Sequence, residues 1–192
     1  EYIIWSVEKS IKDLKTDYLD LLLLHRPSPL MHPDEIAAAI SELKEQEKIL
    51  DFGVSNFTPS QVNLINSKTP ISVNQIEFSL TQHTAMHNGT LDQLLQQEIL
   101  PMSWSPLGTY FKEQNKANTR INKVLDNLTK KYNATEDQVL LAWILKHPSK
   151  VSPVIGTTNK TRIENAVKAL KIDLELEDWF TMLVEYQGHK IP

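Results

Sequence analysis

Apolar residues along this chain gather into five short runs, Tyr18–Leu24, Ile49–Val54, Ile71–Ile76, Ile99–Trp104 and Val151–Ile155. Runs of this length without polar alternation predict strands of a parallel sheet buried on both faces. The intervening stretches carry apolar residues at helical spacing. Ser6–Leu14 predicts a helix with Ser6 as N-cap and Val7, Ile11 and Leu14 facing inward. Pro33 suits the first position of a helix running to Glu47, with Ile36, Ile40 and Leu43 as its inner stripe. Further helices are predicted from Thr58-Pro59, over Leu91–Gln97, Thr119–Tyr132, Thr135–Lys146, Lys160–Leu170 and near Leu176–Glu185. In the second of the paired helices, Thr135 is the N-cap and Val139, Ala142, Trp143 and Leu145 point inward. The one long insertion, Thr109 to Asn118, is polar and irregular and reads as a mobile loop. Strand and helix alternating in this way predict a parallel α/β fold.

Each run ends in a loop rich in ligand-binding residue types: His25-Arg26-Pro27, Ser55-Asn56-Phe57, Glu77-Phe78-Ser79, Ser105-Pro106-Leu107-Gly108 and Gly156-Thr157-Thr158-Asn159. A (β/α) barrel builds its active site at such strand ends, and its phosphate site commonly uses the loops after strands 7 and 8. The last two loops here are the most phosphate-like. Gly156 allows close backbone approach, Thr157 and Thr158 offer hydroxyls beside a helix N-terminus, and Lys160 and Arg162 add positive charge. If these loops follow strands 7 and 8, the chain holds strands 4 to 8. The expected fold is therefore an incomplete (β/α)8 barrel of about five parallel strands, a single domain over 1–192 that lacks the three N-terminal βα units. The first residue is Glu rather than Met, so upstream sequence is expected. Open edges at strands 4 and 8 call for cover, either from that N-terminal segment or from self-association.

Composition narrows the function classes. A net charge of −4 and a pI near 5.9 argue against nucleic acid as a partner. There is no cysteine, which excludes disulfides and thiolate metal sites. The leucine run Leu21–Leu24 is far too short to cross a membrane, and the start has no basic region or cleavage site. A cytoplasmic location is expected. His83 and His87 stand four apart in a loop-like polar stretch, so no metal is assigned to them.

Five segments, taken in order, resemble the aldo-keto reductase superfamily over essentially the whole chain. They are Asp17–Pro27, Gly53-Val54-Ser55-Asn56-Phe57, Val73–Ser79, Trp104-Ser105-Pro106-Leu107-Gly108 and Val154-Ile155-Gly156. The resemblance implies a barrel oxidoreductase that transfers hydride between NADP(H) and a small-molecule carbonyl compound or alcohol. Of the family's catalytic Asp, Tyr, Lys and His, only the His is matched, by His25, so the chain alone is expected to have little activity. An alternative is a non-catalytic NADP(H)-binding module like the channel-associated relatives of these reductases.

By the same resemblance, His25 orients the substrate carbonyl and donates to developing oxyanion charge. Ser55, Asn56 and Gln75 bind the nicotinamide carboxamide, whose donors and acceptors suit hydroxyl and amide side chains. Trp104 stacks on the nicotinamide ring, while Ser105, Pro106 and Leu107 meet the pyrophosphate with Gly156. Thr157, Thr158, Lys160, Arg162 and Asn165 form the adenosine-phosphate candidate. Each has a structural alternative: a core histidine at His25, a turn or helix cap at Ser55-Asn56, core packing at Trp104, and an ordinary capped helix at Thr157–Arg162. Many family members place an Asn four residues after the Arg, whereas Asn165 follows Arg162 by three. The preference for NADP over NAD thus rests on Lys160 and Arg162.

Overall fold

The computed structural model describes residues 1–190, so the last two positions of the single domain expected over 1–192 lie outside the described residues. All five predicted runs contribute strands: β1 (Leu19–Leu24), β2 (Ile49–Ser55), β3 (Val73–Glu77), β4 (Leu100–Trp104) and β5 (Ser152–Pro153). Around them in chain order lie α1 (Tyr2–Leu14), α2 (Pro33–Glu45), α3 (Pro59–Asn66), α4 (Thr90–Gln96), α5 (Lys116–Tyr132), α6 (Glu136–Leu145), α7 (Lys160–Lys168) and α8 (Leu176–Gln187). The strands form one sheet in the order β1-β2-β3-β4-β5. Parallel strands in chain order with helical crossovers are the arrangement of a (β/α) barrel, here an incomplete one. The chain forms two compact units, Glu1–Ile76 with Gly89–Pro101, and Glu77–Asn88 with the residues from Met102 onward.

In the first unit, β1 pairs with β2 (Leu24 opposite Val54) and β2 with β3 (Ser55 opposite Gln75). Its core gathers Val7, Ile36, Ile40, Leu43, Phe52, Val54, Phe57, Val62, Ile65, Leu94 and Ile99. The α2 stripe is as expected, but the helix stops at Glu45, because the chain turns through a left-handed Glu47 into β2. Thr58 caps α3 with a full capping box: its Oγ1 accepts from Gln61 N at 3.4 Å, and Gln61 Oε1 accepts from Thr58 N at 3.0 Å. Gln93 and Gln97 of α4 both donate to Asn63 Oδ1 on α3, at 2.7 and 2.8 Å.

Two expectations for α1 are corrected. The helix begins at Tyr2, so Ser6 lies inside it and caps nothing. Leu14 is exposed, while Val7 is buried and Ile11 packs against the core. Ile3 and Ile4 continue the helical stripe upstream of the Ser that resembled a cap, while Tyr2 and Trp5 are exposed. β1 is the open edge expected at strand 4, and Leu21–Leu24 are accordingly only half buried.

In the second unit, α6 is apolar all round and buried from Gln138 to Ile144, with Leu145 only half buried. Trp143 stacks on Trp179 of α8 with ring centroids 4.9 Å apart and planes within 4°. Each indole N–H donates to the other residue's carbonyl, at 3.2 and 2.9 Å. The stretch from Thr109 to Asn118 is not a free loop. Tyr110 is buried and its hydroxyl donates to Glu136 at 3.0 Å, while the Asn118 amide donates to Tyr110 O and Glu113 O. Asn115 caps α5, which starts three residues earlier than expected. The run Val151–Ile155 yields only two residues of strand. Pro153 has no N–H to donate, and pairing with β4 continues through Val154 N to Ser103 O at 2.9 Å.

Candidate active site

In the first unit the register sets His25, Ser55 and Gln75 at the same, C-terminal, end of β1, β2 and β3. His25 is exposed at the end of the edge strand β1. Ser55 is buried and its hydroxyl donates to the Gln75 carbonyl at 3.0 Å. The same oxygen accepts from Asn56 Nδ2 at 2.9 Å and from Arg26 Nη1 at 3.4 Å. Arg26 Nη1 also donates to the His25 carbonyl at 3.2 Å. Asn56 has a left-handed backbone (φ 58°), and its N–H donates to Gln75 O at 2.8 Å. Since Thr58 caps α3, the Ser55-Asn56 pair is not needed as a cap.

Sequence reasoning passed over two residues here. Arg26, given no role from the sequence, joins two strand ends through the His25 carbonyl and Ser55 Oγ. Asn74 is fully buried and donates from Nδ2 to Phe57 O at 3.0 Å, holding down the loop after Asn56. An amide inside the apolar run Val73–Ile76 was the available signal.

In the second unit β4 ends at the half-buried Trp104, and Ser105 turns the chain through φ 49°. Pro106 is buried, Leu107 half buried, and Gly108 N donates to Ser105 O at 2.7 Å. Gly108 is required twice over. Its φ is +54°, and a Cβ there would lie 1.9 Å from Thr81 Oγ1 and 2.5 Å from Ser79 Oγ. Thr81 Oγ1 in turn accepts from Thr109 N at 3.0 Å. Beyond β5, Gly156 faces open space, with no atom within 4 Å of where a Cβ would stand. Thr157 Oγ1 accepts from Asn159 N at 3.2 Å, and Asn159 caps α7 by accepting from Arg162 N at 3.1 Å. This is the ordinary capped helix of the structural alternative, and it leaves the Thr158, Lys160 and Arg162 side chains exposed. Lys160 lies 3.9 Å from Glu164, and Asn165 Oδ1 accepts from Lys168 Nζ at 3.0 Å. No acidic residue occupies the first turn of α7, so Lys160 and Arg162 stand at the helix end that repels cations, with Glu164 one turn on as the carboxylate facing Lys160.

His83 and His87 flank the single 3-10 turn Thr84–Met86, with ring centroids 5.6 Å apart. Burial pushes the His83 imidazole below its ordinary value, and its Nδ1 meets Leu80 O at 3.0 Å. Tyr186 at the end of α8 packs edge-on against His83, its hydroxyl 3.5 Å from Thr81 O.

The backbone separates the strand-end loops from the rest. Seven non-glycine residues among those described adopt positive φ. Five (Lys15, Glu47, Glu98, Asn133 and Lys150) lie where a helix hands over to the next element, a common use of that conformation. The other two, Asn56 and Ser105, stand at strand C-termini inside the two motifs that sequence reading linked to a cofactor.

Comparison with known proteins agrees with this architecture. The model of the aldo/keto reductase family matches residues 1–182. The chain is 38% identical to the uncharacterized oxidoreductase YcsN of Bacillus subtilis and to the oxidoreductase YdhF of Escherichia coli, covering all of this chain and 65% of each relative. It is 38% identical to a 6-dehydroglucose reductase of Agrobacterium fabrum, over 97% of this chain and 63% of that protein. Among solved structures, the thermostable aldo-keto reductase Tm1743, in complex with the inhibitor epalrestat, superposes with a TM-score of 0.86 at 26% identity, over 95% of this chain and 65% of that one. The chain thus spans about two thirds of the length of the relatives it matches. The sheet of parallel strands, the motif at each strand end and the match over residues 1–182 together establish that this chain belongs to the aldo/keto reductase family.

Proposed function

We propose that the chain is the C-terminal part of an NADP(H)-dependent reductase of carbonyl compounds. The observation that carries this reading is the pair of left-handed residues, Asn56 and Ser105, which spend backbone strain at strand ends rather than at helix ends. The residues fit the cofactor. Gln75 has a half-buried side-chain amide with no hydrogen bond to another described residue, and Gly156 offers backbone that a phosphate can approach. In the first unit Ser55, Asn56 and Gln75 hold the nicotinamide carboxamide. In the second, Trp104 offers an aromatic face of the kind a nicotinamide ring stacks on, and Ser105, Pro106, Leu107 and Gly156 offer loops suited to a pyrophosphate. Thr157, Thr158, Lys160, Arg162 and Asn165 receive the adenosine phosphate, the two cations selecting NADP over NAD. NADPH, when bound, supplies the hydride that reaches the carbonyl carbon. His25 donates a hydrogen bond to the carbonyl oxygen as negative charge builds there, and so holds the substrate in one orientation. The family's Asp, Tyr and Lys come from outside these 192 residues, so the chain binds cofactor but turns over little by itself. Sugar-derived carbonyls belong among the substrates to try, since two relatives are named 6-dehydroglucose reductase.

Titration of the purified chain with NADPH tests this. Tryptophan emission should fall on binding, and most of the quench should vanish in Trp104→Phe, which leaves Trp5, Trp143 and Trp179 in place. NADH should bind about tenfold more weakly or worse, having lost the charge-assisted contacts to its missing phosphate. Absence of any NADPH response, or robust turnover of a reactive aldehyde by the chain alone, contradicts the proposal.

A further inference from the structure

Ser55 has no hydrogen-bonding capacity to spare. A hydroxyl offers one donor and two acceptor positions. Here the donor is used on Gln75 O at 3.0 Å, and the acceptors receive Asn56 Nδ2 at 2.9 Å and Arg26 Nη1 at 3.4 Å. A ligand that donates to Ser55 must therefore displace one of its partners. The Gln75 carbonyl is locked in place, because it also takes the Asn56 N–H at 2.8 Å. The Asn56 amide is held on a backbone already fixed at φ 58°. Arg26 makes the longest of the three contacts and is exposed, so a released guanidinium is readily rehydrated. It also keeps its bond to the His25 carbonyl at 3.2 Å, so leaving Ser55 does not set it adrift.

We propose that Arg26 is the displaceable partner of Ser55: an amide N–H of the nicotinamide carboxamide takes the acceptor position on Ser55 Oγ that Arg26 Nη1 fills. Arg26 is then a positioning residue that acts through Ser55 and tunes which nicotinamide-like rings this end of the site accepts. The inference rests on the cofactor reading above. Arg26 is exposed and lies outside the apolar core of its unit, and far-UV circular dichroism of each variant verifies that the fold is retained before titration.

The test is calorimetric titration of the 192-residue chain and of Arg26→Met, Ser55→Ala and the double variant. Three probes are used: NADPH, its 3-acetylpyridine analogue, which carries a methyl group in place of the amide nitrogen, and adenosine 2′,5′-bisphosphate, which has no nicotinamide. Arg26→Met should bind NADPH about three- to tenfold more tightly, the span of one displaced hydrogen bond. Affinity for the analogue and the bisphosphate should not change, and on the Ser55→Ala background the effect of Arg26→Met should disappear. Unchanged or weaker NADPH binding, or equal tightening for all three probes, overturns the proposal. If the folded wild-type chain binds no NADPH at all, the cofactor reading fails and takes this inference with it. If the wild type binds but Arg26 has no influence, this inference fails alone.

Discussion

Gly53 is the position where one added methyl group tests the strand packing that supports the Ser55-Asn56 loop. It lies in β2 between Leu23 of β1 and Val73 of β3. A Cβ there would stand 2.6 Å from the Val73 carbonyl oxygen, 2.7 Å from Leu23 Cδ2 and 3.0 Å from Val73 Cβ. Leu23 can rotate away, but the Val73 carbonyl is backbone and cannot. Relieving the clash requires β2 and β3 to separate by roughly 0.5–1 Å, judged against ordinary carbon contact distances. Overpacking of this kind costs about 1–3 kcal/mol. Loss of glycine's freedom in the unfolded chain returns about 0.4–1 kcal/mol, since Gly53 does not use a left-handed backbone. The net expectation for Gly53→Ala is a loss of about 1–2 kcal/mol, or a fall in Tm of roughly 2–8 °C for a chain of this size. Thermal unfolding followed by far-UV circular dichroism measures it. Amide exchange provides a local readout, because the Asn56 N–H bonded to Gln75 O should exchange faster. A Tm equal to or above that of the wild type, with exchange at Asn56 unaltered, would show that the close approach of these strands is not what requires glycine.

Two further outcomes are expected in the second unit. Gly108→Ala combines a left-handed φ of +54° with a Cβ placed 1.9 Å from Thr81 Oγ1, and should cost roughly 2–4 kcal/mol. Thr81→Ala should restore part of that loss, and a neutral Gly108→Ala by urea unfolding would refute the packing argument. Burial raises the Asp178 carboxyl, but hydrogen bonds from Lys131 and Tyr132 outweigh it and hold the group below its ordinary 3.8. Its stabilisation is therefore complete above that value and fades as pH falls through the lower folded-state value. Asp178→Asn should lose roughly 1 kcal/mol between about pH 5 and 7. That gap should close below about pH 4; a gap that widens on acidification would reverse the assigned sign.

Much of the architecture was legible in the sequence, because burial on a parallel sheet leaves an apolar signature that few other environments produce. The runs at Tyr18, Ile49, Ile71 and Ile99 all became strands of at least five residues. The run at Val151 shrank to two, since an imino acid at Pro153 matters more to the ladder than hydropathy does. Helix ends were read less well. A capping signal at Ser6 is local, whereas the start of α1 depended on Ile3 and Ile4, which continue its core-facing side. The polar stretch after Gly108 was misread for the converse reason. Tyr110 and Asn118 are held by Glu136 and by backbone carbonyls, and polarity in the sequence does not disclose a fixed partner.

Residue types and their order determined the fold class and the strand ends that carry polar chemistry, and the resemblance of those strand ends to a known family singled out His25, Ser55, Asn56, Gln75 and Trp104. Periodicity and motif spacing are properties of neighbours along the chain, and those survive without coordinates. Only the tertiary structure decided how many bonds Ser55 already makes, that Arg26 stands 29 positions away as one of its partners, and that Thr81 forbids a side chain at Gly108. Hydrogen-bond valence and steric exclusion depend on atoms brought together from distant positions, and linear order does not specify those distances.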